Sequence, residues 1–420
     1  MAGHRTFNLP GMMNVDLYMR SNAPFFPDCA VIKPAGARCN LNCAYCFYLP
    51  KKKLYAGSDF SMSFATLETF IRQFLELQNN EASIIFQGGE PLLRDIAFYE
   101  KAIEFLARHN IRHIKTNMSI QTNGTLISDD WAAFFKRNNI LIGVSLDGPE
   151  ELHDHYRKDP AGRGSFERVV GGIRLLQKHK VDFNVLCAVH AGNAARPLEI
   201  YRFFRDAIHA EYVQFIPIVN NNAEMLYQTG TAMRPESVPP EAYGQFLTAI
   251  FDEWVRRDVG KVFVQIFDTT LANFMRIPGG LCTHAETCGR GIAVEHNGDV
   301  YQCDHYVEPS YLLGNINTMD LFSMVNGEKQ RTFGDAKKDA LPEQCSRCDH
   351  YAVCRGECPK NRIIETPETG KPLNYLCESF KIFFAHVRPA MEIMAQLLRE
   401  KKPPALIMNL IRQGRYPFFS

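Results

Sequence analysis

An α/β fold is predicted, an open partial (β/α)6 barrel followed by a smaller cysteine-rich domain and a C-terminal helix. Between residues 29 and 219, short apolar runs rich in β-branched residues alternate with amphipathic stretches, the pattern of a parallel sheet covered by helices. That region is too short for a closed eight-fold barrel, which typically takes roughly 250 residues. Eleven of the thirteen cysteines fall in two groups, at residues 39–46 and 282–377, leaving Cys29 and Cys187 apart.

The strand-like runs are Cys29–Ile32, Ser83–Phe86, Met118–Gln121, Ile140–Leu146, Phe183–Val189 and Tyr212–Ile218. Between them, Ser63 stands as a helix cap before Leu67, Phe70, Ile71 and Phe74 at helical spacing. Further amphipathic stretches cover Ile96–His109, Trp131–Arg137, Phe166–His179 and Pro197–Ala207. Asn220–Pro240 is polar and holds three prolines, which predicts a linker, and Glu241–Arg257 predicts a connecting helix. Ile292–Glu295 and Val300–Gln302 flank Asn297-Gly298, the strongest short hairpin signal. Phe380–Glu400 reads as a helix interrupted at Pro389, and the basic tail after Lys401 as a solvated segment. The expected division is 25–220 for the barrel, 221–275 for linker and connecting helix, 276–380 for the cysteine-rich domain and 381–420 for the C-terminal helix and tail.

Hydrophobic residues make up 46% and charged residues 22% of the 420, which excludes a disordered or fibrous chain. Forty-seven Lys+Arg against 46 Asp+Glu leave a formal charge of +1, so nothing asks for a nucleic acid or an anionic membrane as partner. No stretch approaches the ~20 apolar residues of a membrane span. Met1 to Asn14 lacks the apolar segment of a secretory signal, and a cytoplasmic location is expected. In such a chain, clustered cysteines point to metal rather than to disulfides.

Cys39, Cys43 and Cys46 lie on one short loop after the first strand. Three thiolates can hold three corners of an iron–sulfur cube and leave its fourth iron open, as catalysis needs. A zinc ion completed by His153 or His155 fits the same spacing. Cys-x3-Cys-x2-Cys with Tyr45 before the last cysteine resembles the radical S-adenosylmethionine (SAM) enzymes, and Gln87-Gly88-Gly89-Glu90-Pro91 resembles their glycine-rich motif. With Ser119–Thr125, Val144–Pro149 and His155-Tyr156-Arg157 added, the chain resembles the anaerobic sulfatase-maturating subgroup over about residues 25 to 385. The resemblance implies a radical SAM barrel in which SAM chelates the open iron and its amino end meets the backbone of the glycine motif, Gly88, Gly89 and Glu90 included. By the same resemblance Ser145 and Arg157 bind its carboxylate, and Gln87, Tyr45 and Ile218 lie near its methionyl and adenosine parts. Asp147, ending an apolar strand, is expected to face a ligand.

Cys345-x2-Cys348-x5-Cys354-x3-Cys358-Pro359 resembles the end of a bacterial ferredoxin motif, in which the cysteine before proline ligates the other cluster. That rule assigns Cys345, Cys348, Cys354 and Cys377 to one cluster and Cys282, Cys288, Cys303 and Cys358 to the other. Resemblance to the SPASM domain implies the same partition, hence three [4Fe–4S] clusters in all. Two structural zinc sites are the alternative, since Cys-x2-Cys is also a zinc spacing. Cys29 and Cys187 are expected as buried apolar residues.

The function so implied is oxidation of a Cys or Ser side chain, in a sulfatase Cys/Ser-x-Pro-x-Arg motif, to Cα-formylglycine by way of a 5′-deoxyadenosyl radical. A low-potential donor of the flavodoxin or ferredoxin kind would supply electrons, and the two auxiliary clusters would accept one. The base implied by the resemblance is Asp304, next to Cys303, with His305 and Glu308 as nearby rivals and Tyr48 as a candidate for the substrate side. Thioether- or carbon–carbon-forming peptide maturases share this architecture, and a non-enzymatic metal protein is the reading from another class.

Overall fold

The computed structural model describes residues 26–220, 233–277, 280–366 and 370–414. Six strands pair parallel in chain order: β1 (Cys29–Ile32), β2 (Glu81–Phe86), β3 (Lys115–Thr122), β4 (Leu141–Ser145), β5 (Phe183–Val189) and β6 (Tyr212–Pro217). The intervening helices are α1 (Phe64–Leu77), α2 (Ile96–His109), α3 (Asp129–Arg137), α4 (Glu150–Tyr156), α5 (Phe166–Lys178) and α6 (Pro197–Arg202), the last running on as a π turn over Phe203–Ala207. Ser63 caps α1 by accepting from the Thr66 amide at 3.0 Å, and Asp95 and Ser128 cap α2 and α3 in the same way; such caps contribute about 1 kcal/mol each. The apolar faces of these helices and the strands merge into one core.

A short seventh strand, β7 (Phe263–Val264), adds parallel to β6. It is followed by α8 (Gln265–Phe274), which itself follows α7 (Ala242–Arg257). Two residues carry too little pattern to announce a strand. At the other edge the expected hairpin forms as β8 (Gly291–Val294) and β9 (Asp299–Tyr301), turning at Gly298 with φ +93°. It does more than close on itself. β8 pairs parallel with β1, Cys29 opposite Gly291 through Ile32 opposite Val294, and β10 (Leu312–Asn315) adds antiparallel to β9. Among the described residues, one open sheet of ten strands therefore runs β10-β9-β8-β1-β2-β3-β4-β5-β6-β7.

Short helices α9 (Leu321–Asn326) and α10 (Glu328–Asp339) lead into the second cysteine field, and α11 (Cys377–Arg399) closes it. Two expectations change here. Pro389 does not interrupt α11; the missing N–H costs one hydrogen bond, which burial of Val387, Ala390, Met391 and Met394 along the same face offsets. The tail is not wholly solvated either, because α12 (Ile407–Arg412) docks and Ile407 enters the core. Much of the linker (221–232) and the N-terminal reading of residues 1–14 lie outside the described residues.

Helices α7 and α11 meet at Gly244, whose amide donates to Ser379 Oγ at 2.9 Å. A Cβ there would sit 2.4 Å from the Ser379 carbonyl oxygen. Gly244→Val is expected to cost about 2–3 kcal/mol by overpacking, read as a lower urea midpoint at unchanged slope, while a control with open space at its Cβ position, Gly171→Ala, stays near wild type.

Candidate active site

The Cys39–Cys46 loop leaves the C-terminal end of β1 and is held from two sides. The Asn42 amide donates to Lys158 O at 2.7 Å and the Ala44 amide to Tyr156 O at 3.2 Å, so the stretch after β4 fixes its far half. The Glu90 amide donates to Arg38 O at 2.8 Å, so the glycine motif fixes its near half. That approach explains the adjacent glycines. A Cβ on Gly89, at φ +52°, would lie 2.1 Å from Arg38 O, and one on Gly88, at φ +106°, would lie 2.3 Å from Lys33 Cδ. Cys39 Sγ accepts from the Leu41 amide at 3.3 Å and faces Asn123 Nδ2 at 3.7 Å.

Glu90, whose backbone is expected at the cofactor, spends its side chain within the protein. The residue is 0% exposed. Its carboxylate accepts from the Leu92 amide, Thr122 Oγ1 and the Asn123 amide at 2.7–2.9 Å, joining the glycine motif to the end of β3. Burial still pushes this carboxyl up to about 7. Its job in the structure is to place Asn123, which in turn reaches Cys39 and Asn40.

Asp147 also corrects an expectation, since it faces inward rather than toward a ligand. It is wholly buried, accepts from Arg157 Nε at 2.8 Å, from Tyr45 Oη at 2.5 Å and from the Ala188 amide at 2.9 Å, and thereby unites β4, β5 and the cysteine loop. Burial works to raise its carboxyl, but the Arg157 guanidinium overrides that and holds it below its ordinary value. Arg157 thus enters a buried ion pair, with its Nε spent on Asp147 and its guanidinium over the Tyr45 ring at 5.4 Å. Ser145 Oγ accepts from Gln121 Nε2 at 3.2 Å. Gln87 stands half-buried at the end of β2, its amide on Ile32 O, and Ile218 lies just past β6, its amide on Val189 O. His153 is excluded as a zinc ligand, because Nδ1 accepts from the Asp147 amide and Nε2 meets Ser165 Oγ at 2.9 Å.

All thirteen cysteines are free. The thiols act on one another electrostatically in three sets. Burial first, then neighbouring charges, push Cys43 up to about 12, with Cys39 and Cys46 among the neighbours. Cys303, also raised to about 12, feels Cys282 and Cys288, and Cys358 feels Cys303 and Cys288. Cys354 feels Cys377 and Cys345, and Cys377 feels Cys345 and Cys348. Thiols that are mostly half-buried and crowded in this way resist ionisation unless a positively charged metal core draws them together, and sets of three, four and four are the donor chemistry of iron–sulfur cubes. Cys187 is buried as expected, whereas Cys29 is only half-buried and lies near Cys282.

Asp304 follows Cys303 directly and meets the ammonium of Lys33, the residue after β1, in an ion pair. Burial works to raise its carboxyl, and Lys33, with His305 and Lys360, holds it below its ordinary value. Of its rivals, Glu308 is out on the surface with Lys51 at 3.1 Å, and His305 Nδ1 faces Cys358 Sγ at 3.7 Å. Tyr48 is a core residue whose hydroxyl donates to Glu295 and whose ring lies under the Lys33 ammonium at 4.4 Å.

Residues 34–204 match the radical SAM superfamily and residues 282–349 an iron–sulfur cluster-binding domain, SPASM. Over 404 residues the chain is 45% identical to a serine-type anaerobic sulfatase-maturating enzyme of Bacteroides thetaiotaomicron, covering 93% of this chain and 97% of that one. The chain belongs to the anaerobic sulfatase-maturating enzymes. A cysteine-type member from Clostridium perfringens is 34% identical, covering 86% of this chain and 96% of its own. The solved structure of native anSMEcpe with bound AdoMet and Cp18Cys peptide superposes with a TM-score of 0.80 at 33% identity, over 88% of this chain and 99% of that one. As a member of this family the chain is a radical SAM oxidoreductase that carries SAM and iron–sulfur clusters.

Three residues of this maturase site were not singled out from sequence: Lys33, Asn123 and Glu295. Lys33 did leave a signal, a charged residue closing an apolar strand immediately before the cysteine loop. Glu90→Gln turns a donor toward a donor and is expected to cost about 1–3 kcal/mol in chemical unfolding of the cluster-free protein; a side chain serving only the cofactor would leave that stability untouched. Asp147→Asn leaves Arg157 unpaired in the interior and should cost about 3–5 kcal/mol. Since Asp147 is depressed in the folded state, its contribution is complete above its ordinary value of 3.8 and lost as pH falls through the lowered one. Wild type should therefore lose its stability margin over the variant only in acid, measured as the difference in urea midpoint against pH.

Proposed function

We propose that this chain converts the Cβ of a cysteine or serine, presented by an unfolded sulfatase segment in a Cys/Ser-x-Pro-x-Arg motif, to the aldehyde of Cα-formylglycine. The observation that carries this reading is the ion pair between Asp304, next to Cys303, and Lys33, the residue between β1 and the Cys39–Cys46 loop, which the β1–β8 pairing makes possible. When bound, SAM and the three clusters supply hydrogen-atom abstraction and a sink for the second electron.

The chain's own residues do the rest. Cys39, Cys43 and Cys46 hold the first cluster and leave one iron for SAM. The backbone of Gly88 and Gly89 receives its amino group, and Arg157 and Ser145 receive its carboxylate. Asp147 fixes the plane of the Arg157 guanidinium, and a guanidinium so fixed can offer the remaining edge to a carboxylate. Gln87, Tyr45 and Ile218 border the remaining SAM surface; the Tyr45 hydroxyl is already committed to Asp147, so its ring and backbone are what it offers. The Glu90 side chain acts on the site through Asn123, while its amide holds Arg38 O at the start of the cysteine loop. Cys282, Cys288, Cys303 and Cys358 hold one auxiliary cluster, and Cys345, Cys348, Cys354 and Cys377 the other.

Oxidation of an alcohol to an aldehyde removes two electrons and two protons' worth of hydrogen: one leaves as a hydrogen atom from Cβ, and the second electron and the Oγ proton leave separately. Asp304 takes that proton. A cysteine substrate follows the same course to a thioaldehyde, which water converts to the aldehyde with release of hydrogen sulfide. Among the described residues no helix is long and apolar enough to cross a membrane. Oxygen-labile clusters fed by a low-potential flavodoxin- or ferredoxin-like donor suit the cytoplasm.

The test is anaerobic reconstitution with iron, sulfide, SAM and a reductant, using two peptides that differ only in Cys or Ser. A hydrazide-reactive product, with loss of two hydrogens from the Ser peptide, is expected. Product that has lost hydrogen yet never reacts with hydrazide would point to a crosslink instead and end this reading. Asp304→Asn should retain iron and lower aldehyde on the order of a hundredfold or more, the usual weight of a general base.

A further inference from the structure

Lys33 is fully buried, 0% exposed along its side chain. Desolvating an ammonium is costly unless it is paired, and Asp304 is the carboxylate within ion-pair distance. Beyond that contact neither Lys33 Nζ nor Asp304 Oδ1 has a hydrogen-bond partner. The lysine cannot be elsewhere. Its stem runs beneath Gly88, where a Cβ would overlap Cδ, and its head sits over the Tyr48 ring, itself fixed by Glu295. Its amide donates to Val294 O at 2.9 Å, locking its backbone to β8. Lys33 is thus anchored on β1 and β8, and Asp304 follows β9, the antiparallel neighbour of β8.

The two oxygens of Asp304 differ. Oδ1 is buried against Lys33, while the side chain as a whole keeps 16% exposure, so the open oxygen is Oδ2. We propose that Lys33 is a positioning residue for the reaction: its buried ammonium pins Asp304 Oδ1 so that Oδ2 is aimed at the proton on the substrate's sulfur or oxygen. The inference rests on Asp304 being the base in formylglycine formation. Gly88 then has a second duty, leaving room for the lysine stem that sets the base. A carboxylate free to rotate about its two side-chain bonds would spend most of its time misaimed, and a misplacement of about 1 Å can cost on the order of a hundredfold in rate.

The experiment uses the full chain, loaded anaerobically, and reads four quantities for wild type, Lys33→Met, Lys33→Arg, Asp304→Asn and the double variant: iron per chain, deoxyadenosine formed, aldehyde formed, and the split between KM and kcat for peptide. Lys33→Met is expected to keep its iron, to lower aldehyde per deoxyadenosine by roughly tenfold to a hundredfold, and to do so in kcat rather than KM. Lys33→Arg should recover part of that ratio, because it restores the cation at the same contact. In the Asp304→Asn background, Lys33→Met should lower the ratio no further, the signature of two residues acting as one unit. An unchanged ratio in Lys33→Met, an equal further fall in the double variant, or loss of iron together with deoxyadenosine in both Lys33 variants overturns the inference, the last by showing a structural role. Wild-type enzyme that forms deoxyadenosine but no aldehyde would instead sink the functional reading itself, and this inference with it.

Discussion

Four pairs of residues, Cys29 with Gly291 through Ile32 with Val294, join the two halves of this molecule by backbone hydrogen bonding. Everything chemically distinctive depends on that seam. β1 ends at the cysteine loop on one side of it, and β8 leads through the hairpin to Cys303 and Asp304 on the other. Because the two strands run parallel, their C-terminal ends point the same way; β9 then folds back antiparallel along β8, and just past its end Asp304 meets the side chain of Lys33, the residue after β1. A flexible tether between two separate domains would leave the distance between the first cluster site and Asp304 undefined; shared sheet register fixes it to the precision of a hydrogen bond.

Around the seam, charge is placed where solvent is not. Lys33 and Asp304, Asp147 and Arg157, and Glu90 with its three donors are all interior groups. None is needed to fill space, and apolar residues of similar size pack at least as stably. What they add is direction. Each polar contact ties two separate strand ends together, so that loops carrying thiols, glycines and a carboxylate share one frame. The close approaches at Gly88 and Gly89 belong to the same scheme, since a side chain at either would push the cysteine loop or Lys33 out of it.

Most of the fold was legible because its signals are local. The six strands and the helices between them follow from alternation of apolar periodicity, the cap at Ser63 from residue type, and the hairpin from Asn297-Gly298. The thiol sets were read through spacing and family resemblance, and thiols within each set act on one another electrostatically. What was not legible is non-local. No periodicity reports that β8 pairs with β1 across some two hundred and sixty residues, and without that pairing neither the Lys33–Asp304 contact nor the place of Tyr48 can be foreseen. Asp147 misled for a related reason: it sits in a motif that suggests a ligand, yet its carboxylate is spent on other segments of the same chain. Pro389 misled because local propensity was outweighed by packing along α11.

The seam also dictates how the protein can be made. A ribosome releases β1 early, but its outer neighbour β8 starts at residue 291, more than two-thirds of the way along the 420. Until then the nascent barrel carries a bare edge beside the loop that must receive iron, and an unpaired edge strand invites association with other chains. Contacts of such long sequence separation form slowly. Synthesis of this maturase therefore includes an interval in which the six strands of the barrel are complete while the outer edge of β1 still waits for its partner.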